Sequence, residues 1–181
     1  KDQRIIYPNT NSGYGSTSGT EMITEECPLT PISIYGTTKC RAEDHIKQGE
    51  NWTTMRLATV FGASLRPRFD LLVNNLVFRA VKDKMVVLYE NQAMRNYIHV
   101  KDICQAFLHI IEHDVLTWNQ TFNVGNDSLN CTKLDLVKAI QKQIPLEIIQ
   151  AEFTKDPDGR NYQVSSQKFY NTGFTCKHDL E

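Results

Sequence analysis

The stretch Thr-Thr-Met-Arg-Leu-Ala-Thr-Val-Phe from Thr53 to Phe61 carries β-branched and apolar residues at neighbouring rather than alternate positions. A strand of that kind has no face to offer water, so it belongs inside a parallel sheet covered on both sides by helices. The rest of the chain alternates strands and helices as such a sheet requires. A strand at Arg4 to Tyr7 stops at Pro8 and gives way to a polar, glycine-rich turn, followed by a helix from Ser33 to Gln48. After Pro67 a helix from Asp70, its cap, carries apolar residues at Leu71, Leu72, Leu76, Phe78 and Val81. Strands follow at Met85 to Tyr89 and Tyr97 to Val100, then a helix capped by Asp102 and running to His113. Thr121 to Gly125 reads as a further strand, and Thr132 to Gln143 as a helix ended before Pro145. The fold class is α/β.

Within the first helix, Tyr35 and Lys39 are four residues apart, so phenol and ammonium project from one face about 6 Å apart. A neighbouring cation favours the phenolate, which lets a tyrosine take a hydroxyl proton while a hydride leaves the same carbon. Tyr97 and Lys101 repeat the spacing in a β-prone run, where residues i and i+4 lie roughly 13 Å apart and cannot act as a couple. Upstream, Thr10, Asn11 and Ser12 fall where the first strand ends. In open α/β sheets that is where ligands bind. A strand-end hydroxyl beside a Tyr/Lys couple suits oxidation of an alcohol to a ketone: Thr10 bonds the hydroxyl, Tyr35 takes its proton, and Lys39 holds the phenolate.

The segments "NTNSGYG", "YGTTK", "MRLATVFG", "MRNYIHVKD", "TFNVGN" and "DPDGRNYQVSSQK" resemble, in order, those of extended short-chain dehydrogenases/reductases acting on nucleotide sugars, the NAD-dependent epimerase/dehydratase group. The resemblance implies Thr10, Tyr35 and Lys39 as catalytic residues, with Tyr35 and Lys39 also touching NAD. It implies Arg95 and Arg160 with Tyr162 as grips on the substrate diphosphate, and Thr59 at the substrate position where relatives carry asparagine. It further implies the C-terminal part of a Rossmann-type parallel sheet interleaved with a small α/β substrate-binding domain. Residues 1–62 fall on the dinucleotide side and 63–181 mainly on the substrate side, with strands near 97–100 and 121–125 returning to the first sheet.

The family's opening glycine-rich turn, G-x-x-G-x-x-G or G-x-G-x-x-G, does not occur in this chain. The chain starts at Lys1 inside what reads as the fifth strand of the family's sheet, so it is expected to be a C-terminal portion. Next to the catalytic threonine, dehydratases and decarboxylases of the family carry an acid, and some epimerases a cysteine. Here stand Asn11 and Ser12. The remaining set suits a 4-epimerase, or alternatively a 4-keto-sugar nucleotide reductase. A third reading is a sugar-nucleotide-binding piece without catalysis.

At 181 residues the chain is long enough for one sizeable core, and its formal charge of -1 offers no basic field for nucleic acid. The five cysteines are scattered without a C-x-x-C pair, which favours reduced thiols and a cytoplasmic enzyme. His109 and His113 lack metal-site context and read as structural, so no metal is expected. No run has membrane-spanning length. The N-x-S/T triplets at Asn51, Asn119, Asn126 and Asn130 matter only to a secreted protein. The implied partner is a nucleotide-diphosphate sugar, and the implied assembly is a homodimer.

Overall fold

The computed structural model describes residues 3–17, 21–89, 91–151 and 160–180. The first half contains β1 (Ile5–Thr10), a 3₁₀ turn (Asn11–Tyr14), β2 (Met22–Ile23), α1 (Ile34–Ile46), β3 (Trp52–Leu57), β4 (Thr59–Phe61) and α2 (Leu72–Asp83). After these come β5 (Met85–Leu88), β6 (Met94–His99), α3 (Val100–Glu112), α4 (Asp114–Thr117), β7 (Gln120–Val124) and β8 (Asn126–Thr132). The chain closes with α5 (Lys133–Gln143), β9 (Glu147–Gln150), β10 (Gln163–Val164) and α6 (Gln167–Tyr170).

A parallel sheet in the order β1-β3-β7 carries the α/β architecture expected from sequence. β3 is its central strand, which is why Thr53, Thr54, Met55 and Arg56 are all buried. On one side Ile103, Ala106 and Ile110 of α3 join Met55, Phe122 and Val124 in a core, their helical spacing laying a single apolar stripe against the sheet. The long run read as one strand is in fact two. It divides at Ala58, whose N–H still bonds the Val124 carbonyl, before β4 leaves to pair with β6.

The second sheet has the order β4-β6-β8, and β5 pairs with β9 in parallel. The strand expected at Tyr97 to Val100 runs Met94–His99 and pairs with β4 and β8; it does not join β3 or β7. Lys101 therefore lies in α3. Phe61, Leu76, Ala80, Leu136, Val137 and their neighbours form a second core between α2, α5 and these strands. Gly125 links β7 to β8, and a Cβ there would lie 1.7 Å from Asn96 Oδ1, so a larger residue would have to displace the buried Asn96 amide at this corner.

Three further expectations change. β1 continues through Pro8 to Thr10, because Pro8 lies on a strand paired only with β3 among the described residues, where a missing N–H leaves no ladder bond broken. Asp70 does not cap α2; the helix starts after Leu71 with no side-chain cap, and Asp70 pairs with Arg68. Asp102 is the third residue of α3, and the cap is His99, whose Nδ1 accepts from Lys101 N at 3.3 Å. No described helix is long and apolar enough to cross a membrane.

Candidate active site at the end of the first strand

β1 ends at Thr10. The Thr10 hydroxyl accepts from the Ser12 backbone N–H and donates to the Ser12 hydroxyl, both at 3.1 Å, and so caps the Asn11–Tyr14 turn. A lone pair on Thr10 Oγ1 is left to accept from a ligand. The first turn of α1 lies against this segment. A Cβ on Gly36 would sit 3.1 Å from the Ser12 carbonyl oxygen, so a larger residue would push helix and turn apart.

Ser33 caps α1, its Oγ accepting from Gly36 N at 3.1 Å. That fixes the start of the helix just before Tyr35, whose side chain is 57% exposed. One turn later the Lys39 ammonium donates to the Pro8 carbonyl and lies 4.3 Å from the centroid of the Tyr7 ring. The Tyr7 hydroxyl donates in return to the Lys39 carbonyl at 3.3 Å. The lysine is thereby moored to the strand that ends in Thr10, while the phenol stays open to a ligand.

Arg95 sits in β6 opposite Cys131, buried, with its guanidinium carbon 5.6 Å from the centroid of the Tyr162 ring. Arg160 reaches back to the Asn11–Tyr14 turn and donates to Ser12 Oγ. Between them Asn161 is stitched to both sides: its Oδ1 accepts from Met94 N at 2.8 Å and its carbonyl from Thr17 N at 2.9 Å. Thr10, Ser12 and Arg160 are thus in one hydrogen-bonded chain, and Tyr162 lies on Arg95. Thr59 opens β4 opposite Tyr97, half-buried, and among the described residues has no side-chain bond to any of these groups. Residues 152–159, which hold the Asp156-to-Gly159 part of the "DPDGRNYQVSSQK" segment, lie outside the described residues.

Beneath the site lies a buried polar network that the sequence reading did not assign. Glu43 of α1 is fully buried and takes Arg56 of β3 on both carboxylate oxygens, at 2.6 Å from Nη2 and at 3.2 and 3.3 Å from Nε. Asn9 Nδ2 donates to the same carboxylate at 2.5 Å. Arg56 Nη1 donates to the Tyr14 hydroxyl at 2.9 Å, which donates to Asn123 Oδ1 at 2.6 Å. Burial by itself raises the Glu43 carboxyl, but the hydrogen bonds and charge of Arg56, then Asn9, outweigh it and hold the group below its ordinary range. Burial pushes Tyr14 up to about 12, partly offset by Arg56. One signal could have found the pair: a charged residue in a strand with no solvent face needs a buried counter-charge, and Arg56 is such a residue.

Among the described residues no cluster of histidine, cysteine, aspartate or glutamate could hold a metal ion. Tyr35 presents an open phenol, and Lys39 an ammonium held against β1 two residues before its carboxyl end, groups able to hydrogen-bond the hydroxyls of a dinucleotide's ribose.

The sequence profile described as "NAD dependent epimerase/dehydratase family" matches residues 1–125. A Bacillus subtilis protein described as an uncharacterized UDP-glucose epimerase is 27% identical over 129 residues, covering 68% of this chain and 39% of that protein. The structure of a Thermotoga maritima UDP-glucose 4-epimerase with UDP-glucose superposes with a TM-score of 0.84 at 22% identity, covering 99% of this chain and 60% of that one. A Bacillus anthracis dTDP-glucose 4,6-dehydratase in complex with NAD gives 0.83 at 22% identity, covering 98% and 58%. At these identities the structural likeness is one of fold. The chain thus spans less than two thirds of the length of each of these proteins.

Proposed function

This chain belongs to the NAD-dependent epimerase/dehydratase family, and we propose that its protein interconverts the 4-hydroxyl epimers of a hexose carried on a nucleoside diphosphate, using NAD. The observation that carries this reading is the composition of the catalytic turn. Thr10 stands with Tyr35 and Lys39, and the two residues after it, Asn11 and Ser12, bring no acid and no thiol. Such a set can move one proton at one hydroxyl and has no second acid or base at the turn to expel water. On this reading residues 1–62 serve the dinucleotide side and 63–181 mainly the sugar-nucleotide side.

Tyr35 accepts the proton of the sugar 4-hydroxyl and returns it after the sugar has turned over. Lys39 keeps the charge of the phenolate compensated from its mooring on Pro8, and it meets the cofactor ribose. Thr10 orients the reacting hydroxyl through its free lone pair. Bound NAD supplies the hydride acceptor and donor. Arg95 and Arg160 take the diphosphate, with Tyr162 bracing Arg95 and Thr59 contacting the sugar. For Arg160 this means exchanging Ser12, a neutral acceptor, for a charged one, which favours the bound state.

The test uses the natural full-length protein with NAD and UDP-glucose, UDP-galactose or their dTDP counterparts, following epimer composition by NMR. Interconversion is expected, and Tyr35→Phe is expected to lower its rate by about 10²- to 10⁴-fold with NAD still bound. Near-normal turnover in that variant would falsify the assignment of the base. Arg95→Ala and Arg160→Ala are each expected to weaken sugar-nucleotide binding by roughly 10- to 150-fold and to leave NAD affinity close to normal. Unchanged sugar-nucleotide affinity in both variants would remove the diphosphate clamp from this account.

A further inference from the structure

Asn11 is the residue directly after Thr10, it is 1% exposed, and neither its side-chain oxygen nor its side-chain nitrogen has a hydrogen-bond partner. Among the described residues it is the one asparagine or glutamine with both amide atoms buried and unpartnered; Asn9 and Asn96 each lack a partner only on oxygen. Buried amides in folded proteins are satisfied almost without exception, because each unpaired end carries its full desolvation cost. A site that keeps both ends unpaired is built for a ligand that supplies a donor and an acceptor together.

The surroundings say which ligand. Asn11 opens the turn whose cap is Thr10 and whose next residue, Ser12, is held by Arg160. The turn lies against the start of α1, which carries Tyr35. An amide cannot ionise at neutral pH, so it is no acid or base. A carboxylate or phosphate would satisfy its NH₂ and leave its carbonyl unpaired. A hydroxyl both donates and accepts. Asn11 directly follows Thr10, which on the proposed function orients the reacting hydroxyl, so the hydroxyl next to the reacting one is its nearest partner. Resting on the function proposed above, we propose that Asn11 binds the sugar hydroxyl on a carbon flanking the reacting carbon, and thereby decides which hexoses are accepted.

Asn11→Leu keeps the side-chain volume and removes both hydrogen-bonding ends, and Asn11→Ala is a second variant should leucine not fit. The assay is titration of the NAD-loaded full-length protein with UDP-glucose or dTDP-glucose and with their 3-deoxy and 6-deoxy forms, alongside melting of the ligand-free protein. Wild type is expected to lose about 10- to 100-fold in affinity for the 3-deoxy sugar and to bind the 6-deoxy form normally, and the variants to lose that much for the parent sugar and to stop distinguishing it from the 3-deoxy form. NAD affinity is expected to stay, and ligand-free Asn11→Leu to melt at or above the wild-type temperature because an unsatisfied amide has gone. Variants that keep the wild-type discrimination, or that lose NAD as strongly as sugar nucleotide, overturn the proposal. A lowered melting temperature with sugar discrimination intact overturns it too, marking Asn11 as structural. If wild type binds no sugar nucleotide at all, the epimerase reading falls first, and the two failures are told apart.

Discussion

At the scale of single residues, Glu43 and Arg56 form a buried ion pair between a helix and the central strand. Both side chains are buried and meet at 2.6 Å, and together they tie α1, which carries Tyr35 and Lys39, to β3 and through Asn9 to β1. Removing one partner strands the other charge out of water. Glu43→Ala is therefore expected to lower unfolding free energy by about 3–5 kcal/mol in urea titrations. The pH dependence has a definite sign. Glu43 titrates below the ordinary carboxyl value of 4.5, so the native state releases its proton earlier on alkalinisation than the unfolded chain does. The pair's stabilisation is complete above about pH 4.5 and is lost as pH falls through the lowered value. Acid unfolding should show that component in wild type and lack it in Glu43→Gln. The placement of Thr10 at the end of a strand and of Tyr35 and Lys39 one turn apart in a helix was legible in the sequence because it depends on local spacing. Glu43 was not, because its partner lies in another element and an acid in a polar helix reads as solvated.

At the scale of elements, what sequence conveyed depended on whether the deciding interaction was local. The helix from Thr132 was legible because Thr132 and Asp135 cap each other: Asp135 N donates to Thr132 Oγ1 at 3.1 Å, and Thr132 N to Asp135 Oδ2 at 2.9 Å. Asp70 before α2 offers the same residue type, but its carboxylate is taken by Arg68 and the helix starts later. The split of the Thr53-to-Phe61 run was illegible for a different reason. A strand buried on both faces has no period to mark a change of partner, and the break at Ala58 is a tertiary choice between β7 and β6. Among the described residues the short β2 and β10 pair only with each other, and β8 is held against β6, so none of the three had a local signal strong enough to read. Thr132→Ala is expected to cost about 1 kcal/mol by loss of the cap, whereas Asp70→Ala, whose pair is exposed, is expected to leave the urea midpoint in place.

For the whole molecule, the C-terminal tail braces the corner where the chain passes from one sheet to the other. Tyr170 OH accepts from Asp127 N at 3.0 Å and donates to the Gly125 carbonyl at 2.8 Å, just where the chain passes from one sheet to the other. Further on, the buried Asp102 accepts from Lys177 N, His178 N and His178 Nδ1, and the His178 ring stacks on His99 at 4.6 Å. Burial, then the nearby His178, hold His99 below its ordinary 6.5, against the pull of Asp102. His109 is held low in the same way, by burial and then His113, under the ring of Phe174. A base whose native value is depressed binds fewer protons folded than unfolded. Stability therefore falls as pH drops from about 6.5 toward the lowered values, and levels off below them. The melting temperature is accordingly expected to fall between pH 7.5 and 5.5. His99→Asn, which keeps an acceptor for Lys101 N, is expected to remove part of that slope, and His99→Asn with His109→Asn most of it. An unchanged slope in the double variant would mean that the acid sensitivity lies elsewhere and that the tail contributes packing without a proton-linked component.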